Sequence, residues 1–301
     1  EGAFFVAKEL ALELGLGHGR AVDGHKGQLA SVAGAVDALG DQLLAGAALA
    51  QQQHGGRALR ATLGQGLHAL GCGAAPDEAR ELVARARSLV RLDARAVKTP
   101  AKRLLVVPTF EMAGAIAVEW DAQQGLVKPA SMPCTRAANS ALDKVAVQFD
   151  EVVGLLAAYG DADLICYRAT NPAELIARQV ASWDPLLDWA GSALGAPLKA
   201  TAGVVHMPQR PESLSRLHAE VAALTPFHLA AFHDIVAITG SLVLALAVTR
   251  HKLTLSEAWH LSRIDERWQV EQWGQDDDAE RIEALKLQGL LEAGRFYGLC
   301  G

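Results

Sequence analysis

The chain has 301 residues, of which half are hydrophobic, and its net charge is −6 at neutral pH. A chain of this length can bury a sizeable core. Its acidic balance argues against a nucleic-acid partner, because the phosphate backbone requires a basic surface. The longest apolar stretch, residues 235–249, is shorter than the roughly 20 residues that span a bilayer. It therefore predicts a buried core helix and no membrane insertion.

The four cysteines are far apart, at Cys72, Cys134, Cys166 and Cys300. This spacing matches neither a zinc site nor a disulfide framework. Cys166 lies in an apolar setting, which predicts a buried, inert thiol. No basic, apolar and small-residue signal segment opens the chain. These features predict a reducing interior, either the cytoplasm or an organelle matrix.

Residues 1–86 differ in character from the rest of the chain. All Trp and Tyr residues lie beyond residue 119, whereas more than half of the glycines precede residue 75. Helical periodicity in this segment is repeatedly interrupted by glycine. Such a sequence is typical of mistranslated GC-rich DNA. We predict an anomalous extension, mistranslated or disordered, that is not a natural domain; the alternative is a mobile helical extension.

From residue 87 onward the pattern predicts an α+β protein with a small β-containing part before a larger helical one. The apolar run 103–108, closed by proline, predicts a strand, and residues 203–207 are a weaker candidate. The predicted boundaries are 87–133 for a partial β-rich domain and 134–301 for a helical domain.

Helix start signals are frequent in the second part of the chain. Such signals are capping side chains and first-turn prolines. They predict helix starts at Asn139 or Ser140, at Asn171, at Asp184 with a Trp183–Leu187 staple, at Pro211, at Pro226, and at Thr254 with a capping box to Glu257. The last of these helices is predicted to run to Gly274. The acidic run 276–278, with Glu280, is predicted to lie at the N-terminus of the final helix. The alternative is that it helps to steer a basic partner.

Motifs for catalysis are missing from the sequence. It contains no GxxxxGK[ST] phosphate loop, no HExxH zinc motif and no GxSxG nucleophile elbow. His228 and His233 are five residues apart, which puts them off a common helical face. We therefore predict no catalytic residue, no metal site and no cofactor. An enzyme of an unrecognised class acting on a small molecule, and a helical adaptor with another protein partner, remain as alternatives.

An aromatic and charged cluster lies in the helix predicted after Thr254. Trp259, Glu266 and Trp273 are seven residues apart, so in one continuous helix they share a face. A carboxylate framed by two tryptophans is typical of a recognition surface. Arg263 lies on the same side. The alternative is a surface Arg263–Glu266 ion pair beside tryptophans that simply pack.

Eight segments, read together, resemble the ATP synthase assembly chaperones of mitochondria and related bacteria that bind the free alpha subunit (the ATP-twelve family). They are residues 97–102, 106–109, 119–123, 132–140, 163–168, 183–189, 240–247 and 262–274. The resemblance covers some 210 residues in family order. It implies a small N-terminal β-rich domain, a larger helical domain, no cofactor and no enzyme activity. It also implies that the chain holds the alpha subunit before it pairs with beta and so prevents aggregation.

The resemblance also implies which residues bind the partner. The family's acidic, tryptophan-containing signature falls on Asp265, Glu266, Gln269, Glu271, Trp273 and Gly274. With Trp259 and Arg263, these are the predicted partner-binding residues, and Glu266 and Glu271 are the preferred carboxylates. Secondary candidates are Lys98, Thr99 and Arg136. One departure is residues 92–95, where Ala94 replaces the glycine of the family's Asp-Gly-Arg turn, so the β-rich domain is expected to be incomplete.

Overall fold

The computed structural model describes residues 88–92 and 95–301. The predicted extension at residues 1–86 lies outside these residues. The described chain forms two compact units. The first contains residues 88–149, 225–231 and 292–301, and the second contains Asp150–Leu224 and Phe232–Leu291. The predicted boundary near residue 133 stays a prediction, and the first unit continues past it to residue 149.

Short antiparallel strands lie at the start of the described part of the first unit. Their ranges are β1 (Ser88–Leu89), β2 (Arg91–Leu92), β3 (Arg95–Ala96) and β4 (Val106–Val107). Strand β1 pairs with β4, and β2 pairs with β3. Between the two pairs, the Val90 amide donates to the Leu105 carbonyl over 3.1 Å. The strand predicted at 103–108 is confirmed at Val106–Val107, and the side chains of Val90, Leu105 and Val107 are fully buried.

Two helices pack beside these strands. Helix α1 (Phe110–Asp121) begins after Thr109, whose hydroxyl accepts from the Met112 amide. Helix α2 (Pro133–Ser140) follows, and a π-helical turn (Ala141–Val145) continues from it. The core of the unit comprises Val90, Val97, Leu105, Val107, Met112, Ala113, Ile116, Cys134, Ala138, Ala231, Phe296 and Cys300.

The helix start predicted at Asn139 or Ser140 is wrong. Both residues lie inside the helical run, which begins at Pro133. The side chain that caps this start is Glu119, on α1. Its carboxylate accepts from the amides of Cys134 (2.7 Å) and Thr135 (2.8 Å) and from the Thr135 hydroxyl. A cap supplied by another helix leaves no signal in the local sequence.

The second unit is mainly helical. Its helices include α3 (Phe149–Ala157), which starts at the unit boundary, α4 (Ala173–Ala193), α5 (Pro211–Ala222), α7 (Leu242–Thr249), α8 (Leu255–Ser262) and α9 (Ile264–Trp273). Helices α6 (Pro226–Thr239) and α10 (Asp277–Gly298) contribute residues to both units. Helix starts predicted at Pro211 and Pro226 are confirmed.

A short parallel pair joins β5 (Tyr167–Arg168) to β6 (Thr201–Ala202). The strand predicted at 203–207 is therefore wrong, because it falls just after the real one. Gly203 has a φ of 83°, a left-handed conformation that ends the extended segment.

Helix α4 begins later than predicted and continues further. The helix starts at Ala173. The Asn171 side chain does not cap it and instead donates to the Thr170 hydroxyl. The start predicted at Asp184 is also wrong, because α4 passes through Pro185. Asp184 instead accepts from Arg168 over 2.7 Å.

The apolar stretch 235–249 is mostly buried, as predicted, but it forms two helices. Gly240 has a φ of 69°, and the Ser241 hydroxyl caps α7 by accepting from the Leu244 amide. Beside this cap, the buried Asp163 carboxylate accepts from the Val243 amide over 3.0 Å. Within the described part of the chain, no helix is long and apolar enough to cross a membrane.

Candidate partner-binding site

A helix break at Arg263 divides the predicted site. Helix α8 begins with the predicted capping box: the Thr254 hydroxyl accepts from the Glu257 amide, and Glu257 accepts from the Thr254 amide. The helix ends at Ser262, and α9 starts at Ile264. The predicted end at Gly274 is confirmed by its φ of 85°. The prediction of a single helix from 255 to 273 is wrong, so Trp259 does not share a continuous helical face with Trp273.

Trp259 and Arg263 belong to the buried part of the second unit. Both are less than a tenth exposed. The Arg263 guanidinium lies 5.0 Å from the centre of the Trp259 ring and donates to the Ile238 carbonyl over 2.7 Å. It also donates to Glu266 over 3.1 Å. The Arg263–Glu266 pair weighed in the sequence is present, and its arginine side is inside the protein. The contacts of Arg263 with Ile238 and Trp259 stabilise the break between α8 and α9.

Asp265 is buried as well, although the sequence indicated a surface role. Its carboxylate accepts a 2.7 Å hydrogen bond from the Gln179 amide group on α4. Gln179 is fully buried and accepts in turn from the Ala169 amide over 2.7 Å. A buried charge without such a partner is costly. Asp265 therefore fastens α9 to α4 and is not available to another protein.

The C-terminal half of α9 is the part open to solvent. Trp273 is 78% exposed and Val270 is 42% exposed. Glu271 is also exposed, whereas Glu266 and Gln269 are partly buried. Of the predicted partner-binding residues on this helix, Glu271 and Trp273 are thus the two that a partner can reach most directly.

Glu271 forms an ion pair that the sequence did not reveal. Arg178 on α4 donates to both of its carboxylate oxygens, over 2.8 and 2.9 Å. The Arg178 guanidinium also lies 5.0 Å from the centre of the Trp268 ring. Its hydrogen bonds lower the pKa of the Glu271 carboxyl and keep it ionised. The two residues are 93 positions apart in sequence, and no local spacing could have paired them.

The secondary candidates lie in the first unit. Lys98 and Arg136 are exposed. Thr99 is buried, and its hydroxyl donates to the Asp143 carboxylate over 2.7 Å. Thr99 is therefore a positioning residue for the loop after Lys98 and does not itself face solvent.

The described residues offer little for nucleophilic or metal chemistry. Cys134, Cys166 and Cys300 are all buried, and burial raises the pKa of each thiol, that of Cys134 to about 11. The predicted burial of Cys166 is thus confirmed. Over residues 88–92 and 95–301, no three His, Cys, Asp or Glu side chains are grouped so as to hold a metal ion.

Comparison with known proteins identifies the family. The family model for the ATP12 chaperone protein matches residues 77–191. The crystal structure of Atp12 from Paracoccus denitrificans is 48% identical; the match covers 71% of this chain and 92% of that one, with a TM-score of 0.69. The chain belongs to the ATP12 chaperone family.

Two further ATP12 relatives support this assignment. A point mutant of P. denitrificans Atp12p is 47% identical over the same shares of the two chains, with a TM-score of 0.70. Protein atp12, mitochondrial, from Schizosaccharomyces pombe is 26% identical over 224 residues, which is 70% of this chain and 77% of that protein. The family resemblance and the α+β fold predicted from the sequence are confirmed.

Proposed function

We propose that this ATP12-family chain is an ATP-independent assembly chaperone that binds the unassembled alpha subunit of an F-type ATP synthase. It prevents aggregation of that subunit until beta pairs with it. The observation that carries the proposal is the 48% identity to P. denitrificans Atp12 across 92% of that chain. In a eukaryote the chaperone acts in the mitochondrial matrix, and in a bacterium it acts in the cytoplasm.

The exposed end of α9 supports a binding role. An unassembled subunit exposes interface surface that would otherwise self-associate. A tryptophan buries 150–250 Å² when a partner covers it, which at about 25 cal/mol per Å² corresponds to roughly 4–6 kcal/mol for a fully exposed ring. Trp273 is already partly covered, and association costs offset much of this gain. The affinity of such a contact is moderate, so the chaperone can release the alpha subunit when the beta subunit pairs with it.

The site residues divide into two roles in this proposal. Trp273 and Glu271 touch the alpha subunit, and Glu266 contributes at the edge of the contact. Asp265, Trp259 and Arg263 hold α9 in place, and the partly buried Gln269, like Glu266, lies at the edge of the contact. Lys98 and Arg136 are secondary contact residues, and Thr99 positions the loop that follows Lys98. No residue is assigned a catalytic role, and the chaperone uses binding energy alone.

Co-expression with a tagged alpha subunit tests the proposal. We expect the full chain to raise the amount of soluble alpha subunit and to co-purify with it. Trp273→Ala should weaken the complex by about 10-fold or more, as truncation of an interface anchor does. The matched control is Val205→Ala, because Val205 is 76% exposed and lies outside α9. If alpha stays insoluble and nothing co-purifies, the proposed function is wrong. If Trp273→Ala and Val205→Ala behave alike, the assignment of Trp273 fails.

A further inference from the structure

One continuous stretch of the second unit is open to solvent. Every residue from 270 to 282 is exposed, and so are Ala284 and Leu285. We call residues 270–285 the acidic arm. It comprises the end of α9, the Gly274 turn and the first turns of α10. Further along α10, Leu290 is fully buried, and a Cβ at Gly289 would lie 3.3 Å from Ile238. Full burial on α10 is thus reached beyond the acidic arm, at Leu290.

The acidic arm carries large apolar side chains that the described structure does not bury. Val270 and Trp273 are three residues apart on α9, and Ile282 and Leu285 are three residues apart on α10. Side chains at this spacing share a helical face. Leu285 is 70% exposed. A single exposed leucine needs no explanation, but four apolar residues in paired positions on one 16-residue segment indicate a protein contact.

Local interactions hold the helix of the acidic arm. The Asp276 carboxylate accepts from the amides of Asp278 and Ala279, over 3.0 and 2.8 Å, and so caps α10. Arg281 forms an ion pair with Asp278 one turn away. The predicted placement of the acidic run at this N-terminus is confirmed. Since the caps are internal, the apolar side chains of the arm are not required for its own helix.

The charge of the acidic arm indicates what can cover it. It holds six acidic residues and one basic residue, Arg281, so five of the six net negative charges of the chain lie on these 16 residues. A symmetric contact between the arms of two copies would oppose like charges, which disfavours a dimer through this surface. A surface that is positively charged and partly apolar complements it.

We propose that the acidic arm is a docking element for a basic, partly apolar surface of the partner protein. This inference rests on the proposed function and identifies the chemistry of the alpha-subunit surface that the chaperone covers. The arm presents Trp273 and Leu285 to the apolar part of that surface. Its carboxylates steer the encounter, so that the association rate and affinity fall as salt is added.

Matched charge reversals of the full chain test the inference. The first variant is Asp277→Lys with Glu280→Lys, in the first turn of α10. Its control is Glu174→Lys with Glu212→Lys, two exposed acids in the first turns of α4 and α5. Both variants change the net charge equally and place lysine at the same kind of helical position. We expect the arm variant to weaken alpha-subunit binding by about 10-fold at low salt and the control by less than about 2-fold.

Leu285→Ser tests the apolar contact, with Val205→Ser as its control. Leu285→Ser should weaken binding by about 10-fold, and the control should not. Both pairs are checked by circular dichroism for equal folding. If the arm variants and their controls bind alpha equally well, the inference is wrong while the proposed function stands.

If no form of the chain binds the alpha subunit, the proposed function is wrong. A second probe then tests separately whether the acidic arm is a docking element for a basic surface. The probe is a synthetic amphipathic helix of lysine and leucine, measured by fluorescence anisotropy. Binding that the arm variants lose and the controls keep supports the arm as a basic-surface docking element. No binding, or equal binding by all forms, overturns it.

Discussion

The Asp265 carboxylate accepts a 2.7 Å hydrogen bond from Gln179, a residue 86 positions earlier in the chain. Both side chains are buried, so this bond fixes α9 against α4 inside the second unit. A residue that the family signature marks for binding is thus part of the internal structure. Replacing Asp265 therefore lowers the stability of the fold directly and affects partner binding only through that loss.

Asp265→Ala should therefore destabilise the protein. The change leaves the Gln179 amide group buried without its acceptor, which costs about 2–4 kcal/mol of unfolding free energy. Urea denaturation followed by circular dichroism measures the loss. Glu271→Ala is the control, because Glu271 is on the same helix and exposed. Equal denaturation midpoints for the two variants would contradict the buried role of Asp265.

Reversal of the Arg178–Glu271 ion pair separates helix support from partner recognition. Glu271→Arg should leave the melting temperature close to that of the wild type, because the pair is at the surface. It should weaken alpha-subunit binding by about 10-fold, since the charge offered to the partner is reversed. Adding Arg178→Glu restores an ion pair with the opposite order of charges. If the double variant regains full binding, Glu271 supports the helix and does not contact the partner.

The buried Asp163 carboxyl predicts a pH dependence of stability. Burial raises its pKa to about 6, against hydrogen bonds from Ser241 and from neighbouring backbone amides that lower it. The folded protein therefore holds this proton more tightly than the unfolded chain does. Protonation of Asp163 adds to the unfolding free energy at about pH 4 and below, and this stabilisation is lost as the pH rises through about 6.

Comparison with Asp163→Asn isolates this contribution. Relative to the variant, the unfolding free energy of the wild type should fall by up to about 3 kcal/mol between pH 4 and pH 7, and then stay level. Denaturant titrations at a series of pH values measure the difference. A difference that is constant over this range would show that the folded and unfolded pKa values of Asp163 are equal.

Glu119→Ala should destabilise the start of α2. The carboxylate accepts from two amides and one hydroxyl at that helix start, and loss of such a cap costs about 0.5–2 kcal/mol. The urea midpoint should fall with an unchanged m-value. Glu111→Ala, an exposed change on the same helix α1, should move the midpoint less. Equal midpoints would contradict the capping role.

The local sequence predicted the features that depend on near neighbours. The capping box from Thr254 to Glu257, the proline starts of α5 and α6, and the end of α9 at Gly274 were all found where predicted. Each depends on backbone preferences or on a side chain within a few residues of the backbone group it satisfies.

Contacts between distant residues account for the helix predictions that failed. Glu119 caps α2 from another helix, so Asn139 was not needed as a cap. Asp184 bonds to Arg168, and α4 continues through the proline after it. In the first case the real cap comes from outside the local window, and in the second a distant arginine binds the side chain that the sequence pattern had treated as a cap.

The sequence by itself determined the family, the α+β class and the segment that carries the acidic tryptophan signature. Only the tertiary structure decided which signature residues face solvent. Asp265 and Trp259 are inside the second unit, whereas Trp273 is exposed and Glu271 pairs with Arg178 at the surface. The physical reason is that the deciding partners, Gln179 for Asp265 and Ile238 for Arg263, are far away in the sequence, so no local spacing reveals which side chains they hold inside.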